Sequence, residues 1–224
     1  MEDLTSIFSE FSSDKGPSFH NYCRQYDSLW RPYRDLPVKI LEIGVFKGES
    51  LNIWRKAFKS ATVIVGIDIN HECIKYSNPD ENIIVEIGNS SSKEFIEHIN
   101  RTYGPFDIIL DDGSHVNKDV IISFELLFPL LNDNGLYIVE DTICYKSSKH
   151  IVKGVPTHLE YFHKYTHFLN QWRFDSTSGV KDHCVDPFKI QKTTANLLEQ
   201  GIDRIEFGCS YIAIHKKIRT HWIP

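Results

Sequence analysis

Between Val38 and Asn70 the chain reads VKILEIGVFKGESLNIWRKAFKSATVIVGIDIN, and few folds accept such a stretch. Val38, Ile40, Leu41 and Ile43 form a short apolar run that suits a strand buried on both faces. Gly44 and Gly48 follow, where the backbone must turn sharply and a ligand must approach it closely. From Ser50 to Phe58 apolar residues recur at helical spacing, at Leu51, Trp54 and Phe58. A second buried strand, Val63 to Ile67, ends at Asp68. The order strand, glycine turn, helix, strand, closing on a carboxylate, is the opening unit of a Rossmann-like α/β sheet.

Two kinds of cofactor use such a unit. A dinucleotide requires G-x-G-x-x-G, in which the second glycine makes room for a pyrophosphate. Here the glycines are spaced G-x-x-x-G and Phe46 stands at that second position, so a pyrophosphate fits poorly. The E-x-G-x-x-x-G pattern of Glu42, Gly44 and Gly48 resembles motif I of the class I S-adenosylmethionine-dependent methyltransferases. That cofactor carries no phosphate, and the turn need admit only a methionine tail and a ribose. Asp68, at the end of the second strand, suits the two ribose hydroxyls as an acceptor. The plainer alternative is a strand-turn-helix whose glycines serve only as caps.

At 224 residues the chain is long enough for one domain with a sizeable core. A net charge of -5 gives no reason to expect nucleic acid as a partner. No apolar run reaches membrane-spanning length, and the opening MEDLTSIFSEF is acidic, unlike a secretory signal. Cys23, Cys73, Cys144, Cys184 and Cys209 are widely spaced and odd in number, as expected of reduced packing thiols in a cytoplasm.

Residues 1–37 read as an N-terminal helical or lid segment, and 38–224 as the catalytic domain. Leu4, Ile7, Phe8 and Phe11 predict a short amphipathic helix, and Tyr22, Tyr26, Leu29 and Trp30 a second. Asp14, Lys15, His20 and Tyr22 are candidates for a substrate-side lid, with a simple packing role as the alternative; the aromatic segment also makes a homo-oligomer plausible. A helix near His71–Tyr76 leads to a third strand, Ile83 to Ile87. Asn89 and Ser90, at its carboxyl end, can contact an adenine edge, cap the helix that follows, or do both.

The chemically loaded part lies at the next two strand ends. FDIIL, 106–110, runs into Asp111, Asp112, Gly113, Ser114 and His115, and GLYIV, 135–139, runs into Glu140, Asp141 and Thr142. Ligands of open α/β sheets sit beyond the carboxyl ends of strands. Asp112, Glu140 and Asp141 can therefore meet at one point, where three carboxylates repel one another unless a cation binds. All-oxygen ligands suit a hard ion such as magnesium and disfavour zinc. The alternative is that they are solvated acids, with Asp112 or Ser114 capping the helix after them. His115 is the candidate general base, with a fourth ligand or a capping residue as its other readings.

Residues 143–200 are less legible. HLEYFHKYTHFLNQW predicts a helix with Leu159, Phe162, Phe168, Leu169 and Trp172 in the core, and His163 and His167 at packing or surface positions. DSTSGVKDHCVDP reads as a loop that lines an acceptor site, and 188–200 as a further helix. Arg204–Phe207 and Tyr211–His215 flank Gly208 and Cys209 as a hairpin.

Together SDKG, HNY, LEIGVFKGESLNIW, GIDI, DIILDDGSH, GLYIVEDT and IEFGCSYIAIHKK resemble the macrocin and mycinamicin type of sugar O-methyltransferases, from Ser13 to Lys217. The resemblance implies a Rossmann-like class I methyltransferase with a seven-stranded, mostly parallel sheet and a C-terminal antiparallel hairpin. It implies metal-dependent methylation of a sugar hydroxyl, with S-adenosylmethionine and Mg2+ as cofactors. It makes Asp112, Glu140 and Asp141 the metal ligands and His115 the base, and it sets the cofactor against Glu42, Gly44, Ser50, Asp68, Asn89, Ser90 and Asp112. The larger macrolide enzymes carry an additional N-terminal domain with no counterpart in these residues. Rival expectations are a catechol or phenol O-methyltransferase, a hydroxylase-like relative of the same core, and a non-catalytic partner subunit.

Overall fold

The computed structural model describes residues 3–171, 198 and 201–217. The chain forms two compact units, one ending at Gly113 and the other beginning at Ser114.

In the first unit α1 (Leu4–Ser9) and α2 (Cys23–Trp30) precede β1 (Lys39–Ile43), α3 (Glu49–Ala57) and β2 (Val63–Asp68). Then come β3 (Ile83–Ile87), α4 (Lys93–Thr102) and β4 (Phe106–Asp111). The four strands are parallel in the order β3-β2-β1-β4. In register Ile43 lies beside both Ile67 and Asp111, and Asp68 beside Ile87. The loops that leave these strands thus emerge on one edge, and strand order reverses between β1 and β4. That is the switch point at which such sheets bind ligands.

The expected helix at His71–Tyr76 is a 3-10 turn, begun by the Asn70 side chain accepting from Glu72 N–H. Only Cys73 in it is buried, too little apolar surface to hold an α-helix. The N-terminal helices are not loosely attached. Phe8, Tyr26, Trp30, Trp54 and Phe58 are all almost completely buried. Tyr26 stacks on Trp30 at 3.9 Å between ring centroids, and Trp30 meets Trp54 edge-on at 4.6 Å. Burial of each such side chain is worth roughly 1.5–3 kcal/mol, with more from the edge-to-face geometry. This cluster fastens α1 and α2 onto α3.

The second unit contains α5 (Asn117–Leu127), β5 (Leu131–Val139), α6 (His158–Gln171), β6 (Ile202–Gly208) and β7 (Tyr211–Lys216). β7 pairs antiparallel with both β5 and β6, as the hairpin signal predicts. Ile212, Ala213 and Ile214, on this middle strand, are fully buried. Phe124 of α5 is the hub of the core, with Phe162 at 4.8 Å, Phe128 at 4.9 Å and Tyr137 at 5.2 Å. Lys216 is buried and donates to the carbonyls of Phe128, Pro129 and Leu131. Those bonds close the turn into β5, which starts four residues earlier than its apolar run suggests.

The seven-stranded sheet has the order β3-β2-β1-β4-β5-β7-β6, the expected Rossmann-like arrangement with antiparallel C-terminal strands. Among the described residues no helix is long and apolar enough to cross a membrane. The acceptor loop and the helix predicted for 188–200 lie outside the described residues, Leu198 apart.

Candidate functional site

In the first unit the site is built on the edge where β1, β2 and β4 end. Gly44 N–H donates to Ile67 O at 2.9 Å and Asp112 N–H to Ile43 O at 3.0 Å, so the strand ends are laced together. Gly44 has φ +92°, and a Cβ there would lie 2.2 Å from the Asp112 carbonyl oxygen. Only glycine fits. Gly48, at φ +70°, faces the Tyr76 side chain, which a Cβ would meet at 2.6 Å. Between them Phe46 is also left-handed, at φ +50°, and holds its ring out in solvent at 75% exposure.

Asp68 steadies this turn. Its Oδ2 accepts from Val45 N–H at 2.9 Å and Phe46 N–H at 3.2 Å, and its Oδ1 accepts from Asn70 N–H at 2.8 Å. Partial burial pushes the carboxyl up, but the N–H groups of Asn70, Val45 and Phe46 outweigh it and hold Asp68 below the usual carboxylate range. At the end of β3, Gly88 N–H donates to Asp68 O. The side chain of Asn89 accepts from Ser91 N–H, and it is Ser92, rather than Asn89 or Ser90, that caps α4 by accepting from Phe95 N–H.

Below the glycine turn Glu42 is completely buried. Its Oε2 accepts from Ser50 Oγ at 2.8 Å and Trp54 Nε1 at 3.0 Å, whereas its Oε1 has no hydrogen-bond partner. Burial pushes the carboxyl up to about 7; nearby Lys15 pulls it down and Asp112 pushes it up again. Lys15 comes from the loop between α1 and α2 and forms an ion pair with Asp112 Oδ2. Lys15 and Asp112 border a cleft of about 560 Å³ that Phe11, Phe19, Gly44 and Ser50 also line, among others. That size suits a small-molecule ligand.

In the second unit Glu140 and Asp141 follow β5. Glu140 is buried, and Asp141 is left-handed at φ +50°. Thr142 N–H donates to Ser210 O at 3.1 Å, which fastens this loop to the β6–β7 turn. Thr142 O accepts from Nε2 of His158, a buried residue at the start of α6 whose Nδ1 has no partner. Burial lowers the His158 pKa, against the opposing pull of its bond to the Thr142 carbonyl. His115 is left-handed at φ +54°, with Nε2 3.8 Å from Asp141 Oδ2 and its ring 6.2 Å from that of His150.

Neither Asp112 nor Ser114 caps α5. Ser114 instead accepts from Val116 N–H and donates to Asp119, which shapes the loop carrying His115. Asn117, fully buried, donates to Val155 O and Pro156 O and accepts from Val152 N–H, tying the start of α5 to 152–156. Of the expected site residues, the first unit thus gathers Glu42, Gly44, Ser50, Asp68 and Asp112, and the second places His115 beside Asp141. Asn117, His150 and His158 carry no periodic or motif signal, and reasoning from sequence passes over them.

A methyltransferase-domain family model matches residues 41–142. The mycinamicin VI 2''-O-methyltransferase of Micromonospora griseorubida is 40% identical over 147 residues, covering 62% of this chain and 36% of that protein. The demethylmacrocin O-methyltransferase of Streptomyces fradiae is 35% identical over 146 residues, with the same coverage. Among solved structures, the MycE methyltransferase of the mycinamycin biosynthetic pathway, in complex with Mg, SAH and mycinamycin VI, superposes with a TM-score of 0.79 at 26% identity. That superposition covers 100% of this chain and 57% of MycE. The chain thus spans little more than a third of the length of the curated relatives it matches.

Proposed function

We propose that this chain, whose residues 41–142 match a methyltransferase-domain model and which is similar to the mycinamicin and macrocin O-methyltransferases, moves a methyl group from S-adenosylmethionine to a sugar hydroxyl. What carries this is the cradle after β1, a glycine turn that admits no Cβ above a buried carboxylate with one bare oxygen. The donors around it fit the cofactor. Glu42 and Ser50 are acceptors and donors at the depth of a methionine tail, Gly44 lets the ligand lie against the backbone, and Asp68 keeps a carboxylate at ribose height. Asn89 and Ser90 would take the adenine edge. Residues 1–37 form one wall of the cleft, and 38–224 supply the methyltransferase domain proper.

A hard divalent cation such as Mg2+, the ion named with MycE, would be held by Asp112, Glu140 and Asp141, whose donors are all carboxylate oxygens. When bound, such an ion supplies positive charge that makes a hydroxyl more acidic. His115 is the base that takes the hydroxyl proton on its imidazole as the methyl is transferred. Asp141, 3.8 Å from that ring, orients it and balances the charge it acquires. The donor is already an activated sulfonium, so alignment within the cleft supplies much of the remaining acceleration.

The test is incubation with methyl-labelled S-adenosylmethionine and a panel of glycosylated and phenolic acceptors, read by mass spectrometry. Label on a sugar hydroxyl is expected; label on phenols alone would transfer the chain to the catechol-type class. His115→Asn, chosen because asparagine tolerates a left-handed backbone, is expected to lose roughly 10²–10⁴-fold in turnover while binding S-adenosylhomocysteine normally. Turnover within a few-fold of wild type would remove His115 from the mechanism, and turnover that survives a chelator would remove the metal.

A further inference from the structure

We propose that Lys15, from the loop before the sheet begins, is a cofactor-binding residue that receives the α-carboxylate of the amino-acid tail of S-adenosylmethionine. This rests on the methyl-transfer reading above and extends the ligand shell to a segment well before the glycine turn.

The first ground is burial. Lys15 is only 3% exposed, although an ammonium is among the groups least tolerant of leaving water. It is kept there by Asp112, its ion-pair partner, and its charge also acts on Glu42. A cation so placed pairs with one carboxylate, acts on a second, and lines the cleft.

The second ground is rigidity. Lys15 N–H donates to Ser13 Oγ, Gly16 N–H to Ser13 O, His20 N–H to Asp14 O, and Tyr22 N–H to Lys15 O. Tyr22 adjoins α2, which the aromatic cluster fixes to α3. The loop therefore delivers the ammonium from a fixed backbone, as a binding group requires.

The third is complementarity. An α-amino acid presents a carboxylate and an ammonium on one carbon, and needs a cation and an acceptor a few ångströms apart. Lys15 and Ser50 line the cleft, with Glu42 directly behind Ser50. Glu42 Oε1, fully buried without a partner, is the acceptor for the ligand ammonium. An ammonium group has three donor hydrogens and can serve two carboxylates at once, so Lys15 can hold the ligand without leaving Asp112. The other lysine lining the cleft, Lys47, is exposed on the glycine turn and is not held in this way.

The discriminating pair of probes is S-adenosylhomocysteine and 5'-methylthioadenosine, which shares the nucleoside and thioether but has no amino-acid tail. In Lys15→Met, which keeps much of the packing stem, calorimetry is expected to show a 10- to 100-fold loss for S-adenosylhomocysteine. Affinity for methylthioadenosine should stay within two-fold, and Lys15→Arg should recover part of the loss. Equal weakening of both probes, or of neither, overturns the proposal. Should Lys15→Met not fold, the wild-type protein still decides. It should prefer S-adenosylhomocysteine to its decarboxylated analogue by at least ten-fold, and equal affinities overturn the assignment. Wild-type protein that binds none of the probes overturns the methyl-transfer reading itself, a result different in kind from a Lys15 effect that ignores the tail.

Discussion

Glu42 is a carboxyl group that the folded chain holds in an unfavourable place. Its folded pKa is about 7 against an ordinary 4.5, so between those values the native state binds more protons than the unfolded chain. Its contribution to stability is therefore complete below about pH 4.5 and is lost as pH rises through 7. Glu42→Gln should raise the melting temperature at pH 8 and change it little at pH 4.5, while weakening cofactor binding. A series of thermal melts across that range checks the first point, and an increment independent of pH would contradict it. At this scale the sequence is informative where chemistry is local: Gly44, Asp68 and the acids after two strands announce themselves by position. Lys15 does not. Its partner Asp112 lies 97 positions away, and no spacing rule links a loop lysine to a carboxylate that only the fold brings near. His158 is hidden for the same reason, since what it serves is a backbone carbonyl sixteen residues earlier.

At the scale of elements, the aromatic faces of α1, α2 and α3 act as one device. Removing Trp30, which touches Tyr26, Trp54 and Phe58, should cost about 3–5 kcal/mol in Trp30→Ala. Denaturant titration measures this, and a loss under 1 kcal/mol would mean that the helices are held by something else. Strands were the most legible elements, because runs such as Ile83–Ile87 and Phe106–Asp111 are apolar, β-branched and bounded by turn residues. Short helices were less so. The segment at 71–76 has helix-forming residues but one buried side chain, and it settles for 3-10 geometry. The start of β5 was masked by Asn132, Asp133 and Asn134, which read as a turn, whereas the anchoring bonds from Lys216 come from the far end of the chain. Tyr161 and Tyr165 are buried too, satisfied by bonding each other and Glu125, so polar tips concealed core positions.

At the scale of the whole molecule, motif and fold tell of different boundaries. The family model begins at residue 41, inside β1, and the glycine motif and the acids after β4 and β5 all lie at or after Glu42. Yet the hydrophobic wall behind α3 is completed by residues before Val38. A protein trimmed to start at Val38 would keep the whole glycine motif and the acids after β4 and β5, and would bare Trp54 and Phe58 to water. It is expected to be recovered as aggregate, and soluble, cooperatively melting material would refute this. What looks detachable when the chain is read as text is not a spare part: evolution can redraft the opening forty residues only in step with the helix they lean on.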